Sequence, residues 1–486
     1  MVELATDPVD RAEFDKWKSH VESQELYLKH YQLVCSASIV ILMQLGFTFL
    51  EVGSVRVQFT KSILMKNMVD MILSALMYFV IGFGFAFGDG SASGGFIGST
   101  NFFLISETNI SDIHHSSAGW VYHWSYCATA ATIVAGAIAE RTQLVAYGVY
   151  SIIGATFLYP VITHWIWSET GWASVYNPNS LIAPVLDDAG GIAVHTCAGM
   201  CSLVACFFVG PRQHRLDRKG KFVKDLPKQN QSFIVFGMFV LWFSWYAFNA
   251  GPAILAAGED EALMGNIAVY TTVCAAASGA SYLFISVASR KKLPEPGDLC
   301  NGILAGLVCS TSGCSVIQPY YGIVIGSFGG PIVIIVSKLL RKFKIDDVVD
   351  AVAVHLGCGV WSALSAPFFA NTVPNTNENA TFKYKSCGIF TGCSEGWKYL
   401  GSNVLLTLLT MMYVTAIITP TCFLLRQCKI LRIKVESERH GVDIVEFEGP
   451  AYNHDLKSRK SKLFNDTKNP SPVIGRIANG HGDGAC

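Results

Sequence analysis

Eleven apolar runs divide this chain, each bounded by polar loops. A helix needs about 20 apolar residues to cross the hydrocarbon core of a bilayer. Inside that core every backbone amide and carbonyl must be paired within its own segment, which favours helices. The runs span residues 32–53, 67–88, 118–139, 144–167, 189–209, 232–252, 266–287, 299–317, 320–340, 349–369 and 401–425. Only Gln318 and Pro319 separate the eighth from the ninth. The predicted fold is therefore an all-α polytopic membrane protein with eleven transmembrane helices. Of the 486 residues, 51% are hydrophobic and 15% charged, against about 25% charged in soluble domains. The formal net charge of +0 supplies no basic footprint for nucleic acid. The bilayer is the expected partner.

Loop charge orients the runs, because cytoplasmic loops carry the excess of Lys and Arg. PRQHRLDRKGKFVKDLPK after the fifth run holds seven Lys/Arg against two Asp. SRKK (289–292), KLLRKFK (338–344) and RQCKILRIK (426–434) follow the seventh, ninth and eleventh runs. Simple alternation places all four on one side, the cytoplasm. Loops 104–117 and 168–188 on the other side contain no Lys or Arg. The exception is 383–398, an outer loop with three Lys. The reading is an extracellular N-terminal segment 1–31, a transmembrane domain 32–425 and a cytoplasmic tail 426–486. The first 31 residues have no apolar h-region, so no cleaved leader is expected. The sequons at Asn109 and Asn379 fall outside and are glycosylation candidates. These features point to a plasma-membrane glycoprotein.

Most of the 15 Cys lie inside apolar runs, where they read as small buried hydrophobes. Cys387 and Cys393 differ, since they sit in a polar loop. A disulfide between them follows if that loop is extracellular.

An ionisable ring inside an apolar run calls for a function. GGIAVHTCAGMCSL (190–203) and DAVAVHLGCGVWSAL (350–364) both read Ala-Val-His, then Gly four residues on and Ser seven residues on. His195 and His355 thus share one frame on the fifth and tenth runs. Helices 1–5 and 6–10 read as two halves inserted in opposite directions, with helix 11 extra, and such inverted repeats place sites near their interface. Each histidine lies about 9 Å from its own membrane face, at about 1.5 Å per residue. Helix counting alone does not bring the two rings together. Gly191, His195, Gly199 and Ser202 share one helix face; Ala351, His355, Gly359 and Ser362 share the equivalent one. Small residues there permit close backbone approach. Paired neutral imidazoles offer a donor and an acceptor each and can hand a proton along. The bland reading is interhelical glue. A metal site lacks the third ligand, and no cofactor is expected.

The residues resemble the ammonium transporter (Amt/Mep/Rh) family, and more closely its Amt branch in a eukaryotic form. The resemblance is carried by GFTFLEVGSVR (46–56), KNMVDMILSALMYFVIGFGFAFGD (66–89), GAIAERTQ (136–143), YPVITHWIWSETGWAS (159–174), DDAGGIAVHTCAG (187–199), WFSWYAFNAG (242–251) and DDVVDAVAVHLGCGVW (346–361). It implies an eleven-helix inverted-repeat homotrimer with one pore per subunit. The family's twin pore histidines match His195 and His355. Its outer acidic residue matches Asp187, and its vestibule tryptophan matches Trp167. One gate aromatic matches Phe248; the other position, often Phe, is Tyr126, with Tyr122 one turn outward. Pro252 stands where a Ser often follows FNAG. The resemblance then implies a vestibule of Trp167, Tyr122, Tyr126 and Asp187 rebuilt around tyrosine hydroxyls. Asp187 also meets the N-terminus of the fifth helix, so a structural role is the stronger reading. ERHGVDIVEFEGPAY (438–452) looks like the family's regulatory tail, which packs under neighbouring subunits. Val445 occupies its phosphorylatable threonine position.

The expected function is transport of ammonium, with methylammonium as an analogue. Ammonium is recruited at the outer vestibule and deprotonated, and ammonia passes Tyr126 and Phe248 to the histidines. The proton crosses with it, so transport is electrogenic. An Rh-like neutral channel for ammonia or carbon dioxide is the alternative within transport, and a tail-signalling ammonium sensor the alternative outside it. An enzyme is not expected, since no nucleophile elbow or phosphate loop is present.

Overall fold

The computed structural model describes residues 8–105, 116–217, 219–223, 226–256, 261–371, 387–447 and 449–452. Asn109 and Asn379 lie outside them. Eleven rods follow one another: α1 (Pro8–Ser54), α2 (Val57–Phe87), α3 (Ser117–Ala137), α4 (Leu144–Trp167), α5 (Gly191–Val209), α6 (Gln231–Ala256), α7 (Glu261–Arg290), α8 (Pro296–Cys309), α9 (Pro319–Lys342), α10 (Val352–Phe369) and α11 (Gly396–Gln427). Among the described residues nine are long and apolar enough to cross a bilayer. The other two, α3 and α8, complete the predicted eleven. Helix α3 is diluted by Ser, Thr, His and Tyr, yet nearly all of its residues are buried among neighbours. Two short helices, α12 (Val435–His440) and α13 (Val442–Val445), follow α11.

Two elements depart from the predicted spans. Helix α1 has 47 residues, about 70 Å at 1.5 Å per residue. Residues 8–31 are therefore not set apart from the first span: they continue it as one helix. No Gly or Pro interrupts Val9 to Leu45, and Glu, Lys, Gln and Leu propagate helix well. Helix α8 is shorter than its apolar run and stops at Cys309. The run continues as CSTSGCS, whose hydroxyls and amides leave the helix to surround Asp187 and Asp188. Buried carboxylates need such donors.

Four rods carry a π-helical turn: Tyr78–Gly82 in α2, Gly154–Leu158 in α4, Gly191–Thr196 in α5 and Val352–Gly357 in α10. The last two contain His195 and His355. A π turn widens the helix and frees backbone groups, and such turns gather at functional sites.

The loops gather at two ends. At one, Arg56 meets Glu140, Arg212 meets Asp346, and Lys228 meets Asp298. This basic end carries the loops rich in Lys and Arg. At the other, Gly90 meets Thr170, Leu186 meets Asn403, and Ile317 bridges to Ala370. Cys387 and Cys393 are bonded there, with Cα atoms 5.6 Å apart. The rods thus alternate in direction.

Helices α5 and α10 cross at the centre. A methyl on Gly199 would strike the backbone nitrogen of Leu356, and one on Gly359 would lie 3.0 Å from the nitrogen of Thr196. Thr196 and Leu356 each follow their histidine by one residue, so the two contacts are one contact repeated by the pseudo-symmetry. Glycine is what lets the backbones approach.

Candidate functional site

The crossing of α5 and α10 brings the two histidines together. His195 Nδ1 and His355 Nδ1 are 3.2 Å apart, with ring centroids 5.2 Å apart. Each neutral imidazole carries one proton, so one Nδ1 donates and the other accepts. The pair is held from both sides. Trp245 stacks on His195 at 5.3 Å and 12°, and Phe47 packs against His355 at 6.2 Å. Both aromatics escaped the sequence reading. Trp245 lies three residues before Phe248 on one helix face, which was a usable signal; Phe47 offered none. His195 Nε2 is buried without a hydrogen-bond partner among the described residues.

Phe248 and Tyr126 stack directly beyond His195, at 4.2 Å and 14°. His195 to Phe248 is 5.7 Å. Trp167 meets Tyr126 edge-on at 6.0 Å. From Trp167 through Tyr126 and Phe248 to His195, the aromatics form one continuous column.

The tyrosine and the proline that depart from the family pattern are linked. Pro252 has no N–H, so the carbonyl of Phe248, four residues earlier in α6, loses its helical donor. The Tyr126 hydroxyl donates to that carbonyl. A hydroxyl has one proton. In the 2.6 Å contact between the Tyr122 and Tyr126 hydroxyls, Tyr122 is therefore the donor. The Tyr126 hydroxyl is committed to the gate backbone, and the Tyr122 oxygen keeps its lone pairs.

Asp187 is a cap. Its carboxylate accepts from the amides of Ile192 at 3.0 Å and Ala193 at 3.0 Å, and from Ser312 Oγ at 2.7 Å. Its backbone carbonyl accepts from Trp167 Nε1 at 2.7 Å. The side chain thus holds the start of α5, and the main chain holds Trp167. Its repeat partner, which sequence reasoning missed, is Asp347, eight residues before His355 as Asp187 is before His195. Asp347 accepts from the Val352 amide at 2.7 Å. The eight-residue spacing was legible.

The tail docks on its own subunit. The Asp443 carboxylate accepts from the amides of Lys61 at 2.9 Å and Ser62 at 3.0 Å, at the start of α2. Glu438 pairs with Arg432 at 2.9 Å and accepts from the Gln213 amide at 2.7 Å. Above this layer, burial pushes the Asp346 carboxyl up, but Arg212 and its neighbour Arg141 pull it further down, well below the usual carboxylate range. No group of three or more metal-ligating side chains occurs among the described residues.

These features define a polytopic helical membrane protein with a column of stacked aromatics leading to a buried imidazole pair. The chain belongs to the ammonium transporter family: residues 31–452 match the model described as Ammonium Transporter Family. Ammonium transporter 1 member 3 of Solanum lycopersicum is 34% identical over 452 residues, covering 89% of this chain and 95% of the relative. Ammonium transporter 3 of Dictyostelium discoideum is 33% identical, covering 89% and 96%. Among solved structures, one titled Sensor Amt Protein superposes with TM-score 0.77 at 29% identity, covering 87% of this chain and 99% of that one. The crystal structure of Saccharomyces cerevisiae Mep2 superposes with TM-score 0.72, covering 84% and 88%, and at 21% identity it speaks to the fold.

Proposed function

We propose that this protein is an electrogenic ammonium transporter of the plasma membrane. The observation that carries the reading is the His195–His355 contact at 3.2 Å beneath a gate of stacked aromatics. The basic end is cytoplasmic and the end bearing Trp167 is extracellular, following the loop charges. The N-terminus is then outside and the C-terminus inside, with Cys387 and Cys393 in an oxidising compartment.

Ammonium arrives at the vestibule, where the faces of Trp167 and Tyr126 attract a cation by about 0.5–2 kcal/mol each. The Tyr122 oxygen accepts one of its N–H bonds. Moving the charge into the buried column is opposed by desolvation, so the proton is shed there. Ammonia passes Tyr126 and Phe248 and donates to an imidazole nitrogen. The proton travels along the imidazole pair: one ring accepts at Nε2, releases from Nδ1 to its partner, and the partner releases at its far nitrogen. Potassium has no proton to lose and is excluded. Asp187 and Asp347 hold the two helix starts and do not touch the substrate. The working unit is a homotrimer with one pore per subunit, as the family resemblance implies. Its tail docking, through Glu438 and Asp443, is the regulatory contact.

Voltage clamp of oocytes expressing the chain tests this. A saturating inward current with ammonium, absent with potassium and reduced about 100-fold in His195→Ala or His355→Ala, is expected. A surface pH change without current would replace the reading with a neutral ammonia channel. The similar structure titled a sensor motivates a second reading, and silence in both assays from surface-located protein would favour it.

A further inference from the structure

The inverted repeat that pairs the histidines also pairs two other residues, and they differ in chemistry. Phe248-Asn249-Ala250-Gly251 on α6 corresponds to Leu50-Glu51-Val52-Gly53 on α1. Asn249 donates to Thr271 Oγ1 on α7 at 2.9 Å and to Ser310 Oγ at the end of α8 at 2.8 Å. Glu51 faces the matching positions of the other half, Asn67 on α2 and Gly136 at the end of α3. Asn249 follows Phe248 toward the end opposite the basic one. Glu51 therefore occupies the equivalent place toward the basic end, where a carboxyl replaces a neutral amide.

Glu51 is linked by packing to both the histidine pair and the basic-end cavity. It lies one turn along α1 from Phe47, which packs on His355. A methyl built on Gly136 would sit 2.9 Å from Glu51 Oε1 and 2.7 Å from Val349. Val349 and Ser54, the latter one turn beyond Glu51 (nearly), line the cavity that opens at the basic end beside Asp347 and Asp350. Glu51 is 1% exposed, and its Oε2 has no hydrogen-bond partner among the described residues. An unpaired buried carboxyl oxygen is costly and calls for an explanation. Asp70, also buried on α2, contrasts with it: Ser151 Oγ lies 2.6 Å from one oxygen and Thr132 Oγ1 2.9 Å from the other. Each Asp70 oxygen thus has a hydroxyl partner, which Glu51 Oε2 lacks. Lys66, 3% exposed on α2, lies near Glu51.

We propose that Glu51 is the proton acceptor at the basic end of the pore, receiving the proton that leaves His355 and passing it to water in the cavity lined by Ser54 and Val349. One N–H bond of the His355 imidazolium breaks and one O–H bond of Glu51 forms; the carboxyl then releases that proton to water and returns to the carboxylate. This rests on the electrogenic reading given above.

The test is the ratio of charge moved to methylammonium taken up, read in the same clamped oocytes for wild type, Glu51→Gln and Glu51→Asp. A structural role would lower current and uptake together. The proposal expects Glu51→Gln to keep uptake while the charge-to-uptake ratio falls about tenfold or more, and Glu51→Asp to regain part of it. An unchanged ratio in Glu51→Gln beside a normal wild-type current overturns the assignment and leaves the transport reading intact. Uptake without current in wild type overturns both this assignment and the electrogenic reading. If Glu51→Gln does not reach the surface, Glu51→Ser is read by the same ratio and the same criterion.

Discussion

Tyr126 shows how one side chain can compensate for another far away in sequence. Its hydroxyl donates to the Phe248 carbonyl that Pro252 leaves without an amide. Tyr126→Phe should destabilise the protein by about 1–3 kcal/mol, since a buried acceptor is left unsatisfied. The same change releases the Tyr122 proton from its present acceptor, so the half-saturating ammonium concentration should rise. In Pro252→Ala the amide of residue 252 returns to that carbonyl, and Tyr126→Phe should then cost about 1 kcal/mol less. Thermal unfolding of the four proteins in detergent checks the coupling; simple additivity would refute it. Both residues stood out in the sequence as departures from the family pattern. Their connection did not, because they lie on different helices, α3 and α6, and nothing along the chain measures the gap between them.

Among the elements, α5 and α10 carry the most constraint. Their glycines permit the approach that brings His195 to His355. Gly199→Val places a branched side chain against the backbone of Leu356. Overpacking of this kind costs about 1–3 kcal/mol, and here the relief is separation of the two helices. The expected outcome is a lowered melting temperature together with loss of transport. Gly265, whose added methyl meets nothing, is the control, and Gly265→Ala should leave transport intact. If Gly199→Val transports normally, the crossing is not what aligns the rings. These helices were legible as a repeated motif, and the small-residue faces forecast close packing. The π turns were not legible, since a single widened turn hardly alters the hydrophobic period. Helix α8 was overcalled for a related reason. Cys, Ser, Thr and Gly satisfy an apolar-length criterion while offering the donors that Asp187 and Asp188 require.

Across the whole molecule, the basic end is tied together by buried ion pairs. Asp346 meets Arg212 at 2.8 Å and Arg215 at 3.1 Å, and Arg212 reaches Glu140 at 3.5 Å. These contacts join loops from both halves of the repeat. Asp346→Asn should cost about 3–5 kcal/mol, because buried cations lose their partner. The folded-state pKa of Asp346 lies below its unfolded value of about 3.9. Its contribution is therefore fully present above about pH 5 and is lost as pH falls through the folded value. The gap in melting temperature between wild type and Asp346→Asn should stay constant from pH 5 to pH 8 and narrow only in stronger acid. A gap that closes near pH 6 would contradict the ion-pair account.

By itself the sequence determined the class of fold, the alternation of the helices and the repeat that makes two histidines equivalent. Those properties are written in hydrophobic period, loop charge and fixed spacing, each of which is a distance along the chain. Asp187 as a cap was legible on the same terms, and Asp347 would have been. What only the tertiary structure decided is contact across helices: the Nδ1–Nδ1 approach, Trp245 against His195, Tyr126 on the Phe248 carbonyl, and Glu51 against Gly136. These depend on the angle and depth at which helices cross. That geometry is set by the summed packing of many side chains, and no local pattern encodes it.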